Sequence, residues 1–582
     1  MNEKLIKKGY RFCKYILFPL ILIVLPLLKV NMGVDITDTT YSLGNYRDFG
    51  NGSGTVWLML TFIPTVTGHL ISLLPFASTM LGMKVYTSLL ISLMALIGYR
   101  FFMTKMPSWL SFLSQLVAIG MCWAPGVVLY HYMTYFFMLL ASILLFRGLA
   151  GTKREHCLFI AGILLGINTF VKFPGNSLEV LLIFALWFYG LITKKDFSAV
   201  FKQTLLCIAG YVASFVIIVL IIGGLYGSGS FRTMIAGVSG IAEGASDYTF
   251  AGMLFSIVDA YLHGFKWAIY MILCILPGIP FFVLWPGRFI KLRKVVYCVC
   301  IAFLFFVLGR WGMYNFRYYQ KESALQWGAI FLLISLGITI WMSFTSFLNN
   351  DWKLIGVISL INILVLPLGS NNYIWPVLNS LFFIAPVTVW ISYRFVRWGR
   401  DYLDETRKVP LFAVKAMLSG VIIAFFIQSA GLCFNYVFMD GEDGVKRDHR
   451  IEGNAVLAGM KTTGYTAENI SGITSFMNEN AQRYEGKKLL LYGDIPGMCY
   501  FLGKDCAIST TWPDLDSYPV STMEKEIASI KGASESNRPL IAISKNRYDD
   551  PEITAKYGMI KDLIESDGYE NVYENAAYVV FE

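Results

Sequence analysis

Thirteen apolar runs govern what this chain can become. They are Cys13–Val30, Val85–Met103, Leu110–Pro125, Tyr132–Phe146, Cys157–Phe173, Leu178–Ile192, Thr204–Leu225, Gly264–Trp285, Val295–Leu308, Trp327–Phe344, Leu354–Leu368, Leu381–Phe395 and Leu411–Cys433. Allowing for tilt and short ends, each approaches the roughly 30 Å of hydrocarbon in a bilayer. The fold class expected is therefore a polytopic α-helical membrane protein of about thirteen spans. Composition agrees. The 582 residues are 56% hydrophobic and only 15% charged, where a soluble domain carries about one-quarter charged residues.

The net charge of +9 does not point to nucleic acid, because the basic residues cluster between apolar runs. "RFFMTK", "FRGLAGTKREH", "TKKDF", "PGRFIKLRK" and "YRFVRWGRDYLDETRK" fall on one side when the spans alternate. By the positive-inside rule that side is cytoplasmic, together with the N-terminus. An odd number of spans then places the C-terminus outside. The run from Cys13 follows "MNEKLIKKGYRFCK" with no small-residue cleavage site after it, so it reads as an uncleaved span.

A transmembrane domain of residues 1–433 is expected, with a first outer loop at 31–84. The later part of that loop is apolar but broken by Pro64, Gly68 and Pro75, which suggests short helices lying in the interface, with a spanning hairpin as the alternative. Three further stretches face outward, among them "GRWGMYNFRYYQKESALQW". After Cys433 the composition turns polar, and residues 434–582 read as a small extracytoplasmic α/β domain. "KKLLLYGD" and "RPLIAIS" suit buried parallel strands. "TAENISGITSFMNENAQR" and "STMEKEIASIKG" are helical by pattern, the first opening on a Thr cap signal.

The first outer loop carries "GVDITDTTYSLGNYRDFG" directly after the first span. On a helix, Asp38, Tyr41, Asn45 and Asp48 share one face, with Asp35 one step earlier. Carboxylates beside lipid are costly unless they face water, a cation or a substrate cavity. Two readings stand side by side: a functional stripe, or a solvated acidic loop in which Asp35 or Asp38 caps a helix. Elsewhere signals are weaker. The five histidines lack metal-ligand spacing, and "DLD" at Asp514–Asp516 reads as a turn and helix start. Cys499 and Cys506 are close enough in sequence to pair, which one spacing does not establish.

A basic N-terminus, one span, and then an outer loop with Asp-x-x-Tyr in "TDTTYSL" resembles the GT-C class of membrane glycosyltransferases. The resemblance is nearest to the branch of protein O-mannosyltransferases and aminoarabinose transferases of lipid A, glycosyltransferase family 39. In that branch an Asp in an Asp-Glu-x-Tyr-like motif sits at the active site. Asp38 matches that Asp and Tyr41 the aromatic; Thr39 stands where a second acid is common, and Asp35 is the substitute.

The resemblance implies an enzyme that moves a sugar from a polyprenyl-phosphate donor to a glycan, lipid or protein acceptor on the outer face of the cell membrane. Asp38 would be the base and Asp35 its helper, with Tyr41 and Asn45 binding substrate. Such a reaction needs one base and cations for the developing phosphate charge. Lys172 in "NTFVKFPGN" and Arg310, Arg317 and Lys321 in "GRWGMYNFRYYQKES" supply outer-face cations. Neither metal nor cofactor is expected. Competing readings are a GT-C polysaccharide polymerase or ligase, which would place arginines and a histidine in a large late loop, and a glycolipid transporter or flippase, which would carry mid-membrane charges or paired broken helices.

Overall fold

Backbone groups inside hydrocarbon must bond within their own segment, which leaves helices as the form for apolar runs of this length. The computed structural model describes residues 3–49, 56–123, 126–151, 154–244, 250–283, 289–313, 315–399, 411–442, 444–515, 518–534 and 537–582. Each of the thirteen apolar runs is mostly helical, those from Cys13 and Leu178 crossing more than one helical segment and several ending in turns; the ends of two, at Pro125 and Trp285, fall outside the described residues. Among the described residues nine helices are long and apolar enough to cross a membrane. They include Met80–Phe102, Tyr130–Ala150, Ile290–Arg310, Lys321–Ser343 and Phe412–Asn435. The remaining runs occupy Ser108–Met121, His156–Thr169, Asn350–Val365 and Leu381–Gly399. The chain is a multi-pass membrane protein.

Most of the helices share one apolar core. Phe102, Met138, Phe331, Ile358, Phe382 and Phe425 are buried in it, each from a different helix. Residues 31–84, expected as the first outer loop, form the helix Asp38–Arg47, followed by the short helices Val56–Leu60 and Phe62–Ser72. The later helices of the loop are amphipathic in burial: Phe62, Pro64 and Thr65 face inward, while Leu70, Leu73, Leu74 and Phe76 are exposed. Tyr46 pins the first-loop helix. Its hydroxyl donates to Val128 O at 3.0 Å, and its ring packs where a Cβ on Gly68 would collide at 2.4 Å.

Beyond Asn435 the described residues make six strands: β1 (His449–Arg450), β2 (Lys461–Thr462), β3 (Leu489–Tyr492), β4 (Leu540–Ser544), β5 (Asn571–Glu574) and β6 (Tyr578–Phe581). The larger sheet has the order β3-β4-β6-β5. β3 and β4 are parallel, as their continuous apolar sequences suggest, and are buried on both faces. The antiparallel β5–β6 hairpin completes a mixed sheet that the sequence reading did not include. The helix expected at "TAENISGITSF" begins earlier, at Gly464, because Thr463 is its cap and accepts from Thr466 N. Cys499 and Cys506 are free thiols, the second donating to Thr510 O at 3.0 Å.

The sheet domain and the first outer loop are joined. Gly33 N donates to Lys461 O and Lys461 N to Asn31 O, both at 2.7 Å, so the loop entrance pairs with β2. Asp440, 2% exposed, accepts from Val34 N at 3.1 Å and from the Thr462 hydroxyl at 2.7 Å. Arg447 donates to Asp440 O at 2.9 Å and lies 3.8 Å from its carboxylate. Replacing Asp440 by Ala leaves a buried N–H and a hydroxyl without their acceptor and the Arg447 guanidinium without its counter-charge. The expected cost is about 3–5 kcal/mol, read as a lower Tm and faster protease cleavage near residues 436–448; Asp440→Asn, which keeps an acceptor, should cost less.

Candidate functional site

Asp35 precedes the first-loop helix and does not sit on its face. One carboxylate oxygen accepts from Thr37 N at 2.8 Å and the Thr37 hydroxyl at 2.6 Å; the other accepts from Thr39 N at 2.8 Å. It thus satisfies the N-terminal donors of a helix whose own cap residue, Thr37, makes no side-chain cap bond. Burial pushes its pKa up, opposed by these hydrogen bonds from Thr37 and Thr39.

On its inner side Asp35 lines a cavity of about 150 Å³ together with Lys29, Lys84, Trp123, Tyr132 and Tyr436. Lys84 Nζ donates to Met32 O at 2.7 Å and Gly33 O at 2.9 Å, while Lys29 Nζ donates to Tyr436 O at 2.7 Å. Gly126 makes room for Lys84, whose Cε would lie 2.7 Å from a Cβ there. Neither lysine was singled out from sequence. Their signal was faint: Lys29 ends the first span just before "NMGVD", and Lys84 is the fifth residue of an apolar helix.

Asp38 begins the helix and is half-buried. Among the described residues no hydrogen bond reaches its carboxylate, and it does not line the Asp35 cavity. Burial first, and then the charge of Asp35, push its pKa up to about 7. Tyr41 and Asn45 continue the same face. The Tyr41 hydroxyl lies near the Asn45 and Thr510 side chains, and its ring meets Trp512 edge-on at 5.5 Å. This face is therefore roofed by the sheet domain. Asp48 ends the helix in an ion pair with Arg47 at 2.7 Å.

The four cations occupy three places. Arg310 and Arg317 line a groove of about 1070 Å³ between the helices Ile290–Arg310 and Phe412–Asn435. Its walls are apolar: Ile301 and Phe305 on one helix, Ala416, Gly420 and Ala424 on the other. The small residues recur every fourth position, on one helix face, and a Cβ on Gly420 would meet nothing within 4 Å. Lys321 starts its helix beside this groove and lies over the rings of Trp123 (5.4 Å) and Trp375 (5.8 Å). Lys172 stands apart, over Tyr130 at 5.4 Å.

The loop carrying the arginines is held by its own polar residues. Asn315 Oδ1 accepts from Arg317 N at 2.9 Å, and Ser323 Oγ donates to Asn315 O at 2.8 Å. Gln428 ties it to the last span, donating to Tyr318 O at 2.7 Å and bonding Ser323 Oγ at 2.8 Å. Of the loop aromatics, Phe316 and Tyr318 line the groove, Trp311 is exposed, and Tyr314 lies outside the described residues. Among the described residues no three His, Cys, Asp or Glu side chains gather as metal ligands.

The groove and the Asp35 cavity are neighbours along one helix. Ala424 lines the first and Leu432 the second; eight residues at about 1.5 Å per residue separate them by about 12 Å. The Gln320–Lys321 step makes the same connection, since Gln320 lines the groove and Lys321 covers Trp123.

Over 97% of its length this chain is similar in fold to 97% of ArnT from Cupriavidus metallidurans bound to undecaprenyl phosphate, at 11% identity and a TM-score of 0.39. Over 96% of its length it is similar to 72% of the archaeal oligosaccharyltransferase AglB from Archaeoglobus fulgidus, in complex with an inhibitory peptide and a dolichol-phosphate, at 12% identity and a TM-score of 0.45. No family model and no curated protein sequence matches the chain.

The raised pKa of Asp38 makes a stability prediction independent of activity. Its ionised form is disfavoured by the fold, so the cost is absent below the unfolded value of 3.8 and complete above about 7. Asp38→Asn should raise Tm at pH 8 and leave it unchanged at pH 4, as measured by thermal unfolding of the detergent-solubilised protein.

Proposed function

We propose that this protein transfers a sugar from a polyprenyl-phosphate donor to an acceptor hydroxyl at the outer face of the membrane. The observation that carries the reading is the long groove, apolar along both helices and ended by Arg310 and Arg317. An amphiphile with an anionic head and a hydrocarbon tail matches that distribution. Guanidinium groups fork phosphate oxygens, and the tail takes the place beside Phe305, Gly420 and Ala424.

In this reading the acceptor oxygen attacks the anomeric carbon while the carbon–oxygen bond to phosphate breaks. The acceptor proton passes to Asp38, whose pKa near 7 suits a general base at neutral pH and whose carboxylate is not engaged by donors among the described residues. The leaving phosphate gains charge, which Arg310 and Arg317 stabilise, with Lys321 behind them. Asp35, with both oxygens already accepting, orients the loop and sugar hydroxyls. Tyr41 and Asn45 hold the roof over the site. Lys172 lies outside the groove lining and has no step in this reaction.

Asp38→Asn should lower transfer by about two to four orders of magnitude while donor binding survives. The wild-type rate should fall about tenfold per pH unit below pH 7, since the base must be ionised. Full activity in Asp38→Asn with loss in Asp35→Asn would assign the base to Asp35. A Cβ at Gly420 meets nothing within 4 Å, so Gly420→Leu projects into the groove and the fold should hold. It should abolish use of long-chain donors and spare donors with short tails, as measured by transfer from both.

The reading also requires the sheet domain outside and the N-terminus inside. Cysteine labelling of intact cells should reach residues after Asn435; labelling only after permeabilisation would remove the outer-face site.

A further inference from the structure

The carboxyl ends of β3 and β4 open onto a second cavity, of about 690 Å³. Its wall on the membrane side is the first outer loop. Residues 33–35 run without helix or turn, and side chains along such a segment alternate in direction. Val34 and Ile36 line this outer cavity, while Asp35 between them lines the inner one. One stretch of backbone thus separates the Asp35 cavity from a second, polar space.

In open α/β sheets, ligands sit beyond the carboxyl ends of neighbouring parallel strands, commonly with an anion on the backbone N–H groups of the first turn. Here that anion position is filled from within. The Asp514 carboxylate accepts from Gly493 N at 3.0 Å and from Asp494 N at 3.3 Å. The charged lining is three carboxylates, Asp440, Asp494 and Asp550, against the single guanidinium of Arg547, itself paired with Asp550 at 2.8 Å. A phosphate or an acidic sugar would meet repulsion and no open donor nest.

What remains suits hydroxyl groups. Ser544 and Asn546 line the cavity and make no side-chain hydrogen bond among the described residues. Asp494 has one oxygen held by Trp512 Nε1 at 2.9 Å and a second facing no donor side chain there. The Tyr465 ring is 56% exposed at this wall, and its hydroxyl is fixed by a 2.9 Å bond to Ala576 O. A fixed aromatic face beside planar amide and carboxylate groups matches the apolar C–H face and paired hydroxyls of a pyranose. We propose that this outer cavity binds an uncharged or amine-bearing glycan. That this glycan is the transfer acceptor rests on the reaction proposed above; its binding does not.

The test uses the full chain in lipid nanodiscs, titrated with mannotetraose, a chitosan tetrasaccharide and a tetragalacturonate. Calorimetry gives affinity, and Trp512 fluorescence reports on the bond to Asp494. At least one of the first two should bind, and the acidic sugar should not. Tyr465→Ala and Asn546→Ala, both at exposed positions, should each weaken binding tenfold or more without a change in Tm. Gly420→Leu should bind the glycan normally, so a failed transfer reaction and an empty outer cavity are distinguishable. Failure of both the neutral and the amine-bearing sugar to bind overturns the proposal. So does tighter binding of the acidic one, or unchanged affinity in both variants.

Discussion

The Asp440 carboxylate fastens three parts of the chain that are far apart in sequence. It accepts from Val34 N in the first outer loop and from Thr462 on β2, while Arg447 braces it from the linker. A buried charge without partners is expensive, and here the Val34 N–H and the Thr462 and Thr466 hydroxyls donate to it. The sheet domain is held against the membrane domain by this knot and by the paired backbones of Gly33 and Lys461. The roof over Tyr41, the partition at Val34–Ile36 and the position of Asp35 all follow from it.

Two carboxylates three residues apart receive opposite treatment. Asp35 is wrapped by Thr37 and Thr39 donors, so its oxygens are committed to structure. Asp38 receives burial and a like charge without such donors, which is the environment that moves a carboxyl toward neutral pH. Their spacing alone does not foretell this division, because it depends on where the helix begins. A helix starting at Asp38 makes Asp35 the group that satisfies its free N–H bonds.

The membrane architecture was legible because apolar runs of near-bilayer length have few other solutions, and every one proved mostly helical. The strands β3 and β4 were legible for the same reason, each a short apolar run ending in a turn. The β5–β6 hairpin was not, since "NVYENAAYVVF" has no Gly-containing turn and only β6 is fully buried. Long-range pairings left least trace. Lys84 reaches the Met32 and Gly33 carbonyls, and Asp514 fills a turn some twenty residues before it. Arg310 and Arg317 share a groove as their proximity suggests, while Lys172 reads as an outer-face cation and lies elsewhere because its helix end packs on Tyr130.

The partition between the two cavities has a thermodynamic meaning. Val34 and Ile36 face one space and Asp35 the other, on a backbone pinned at both ends. With both cavities filled as proposed, an outer occupant pressing on Val34 and Ile36 would bear on the same backbone that carries Asp35, and any coupling between the two sites would act equally in both directions. The link would run through residues 33–35, which form neither helix nor turn.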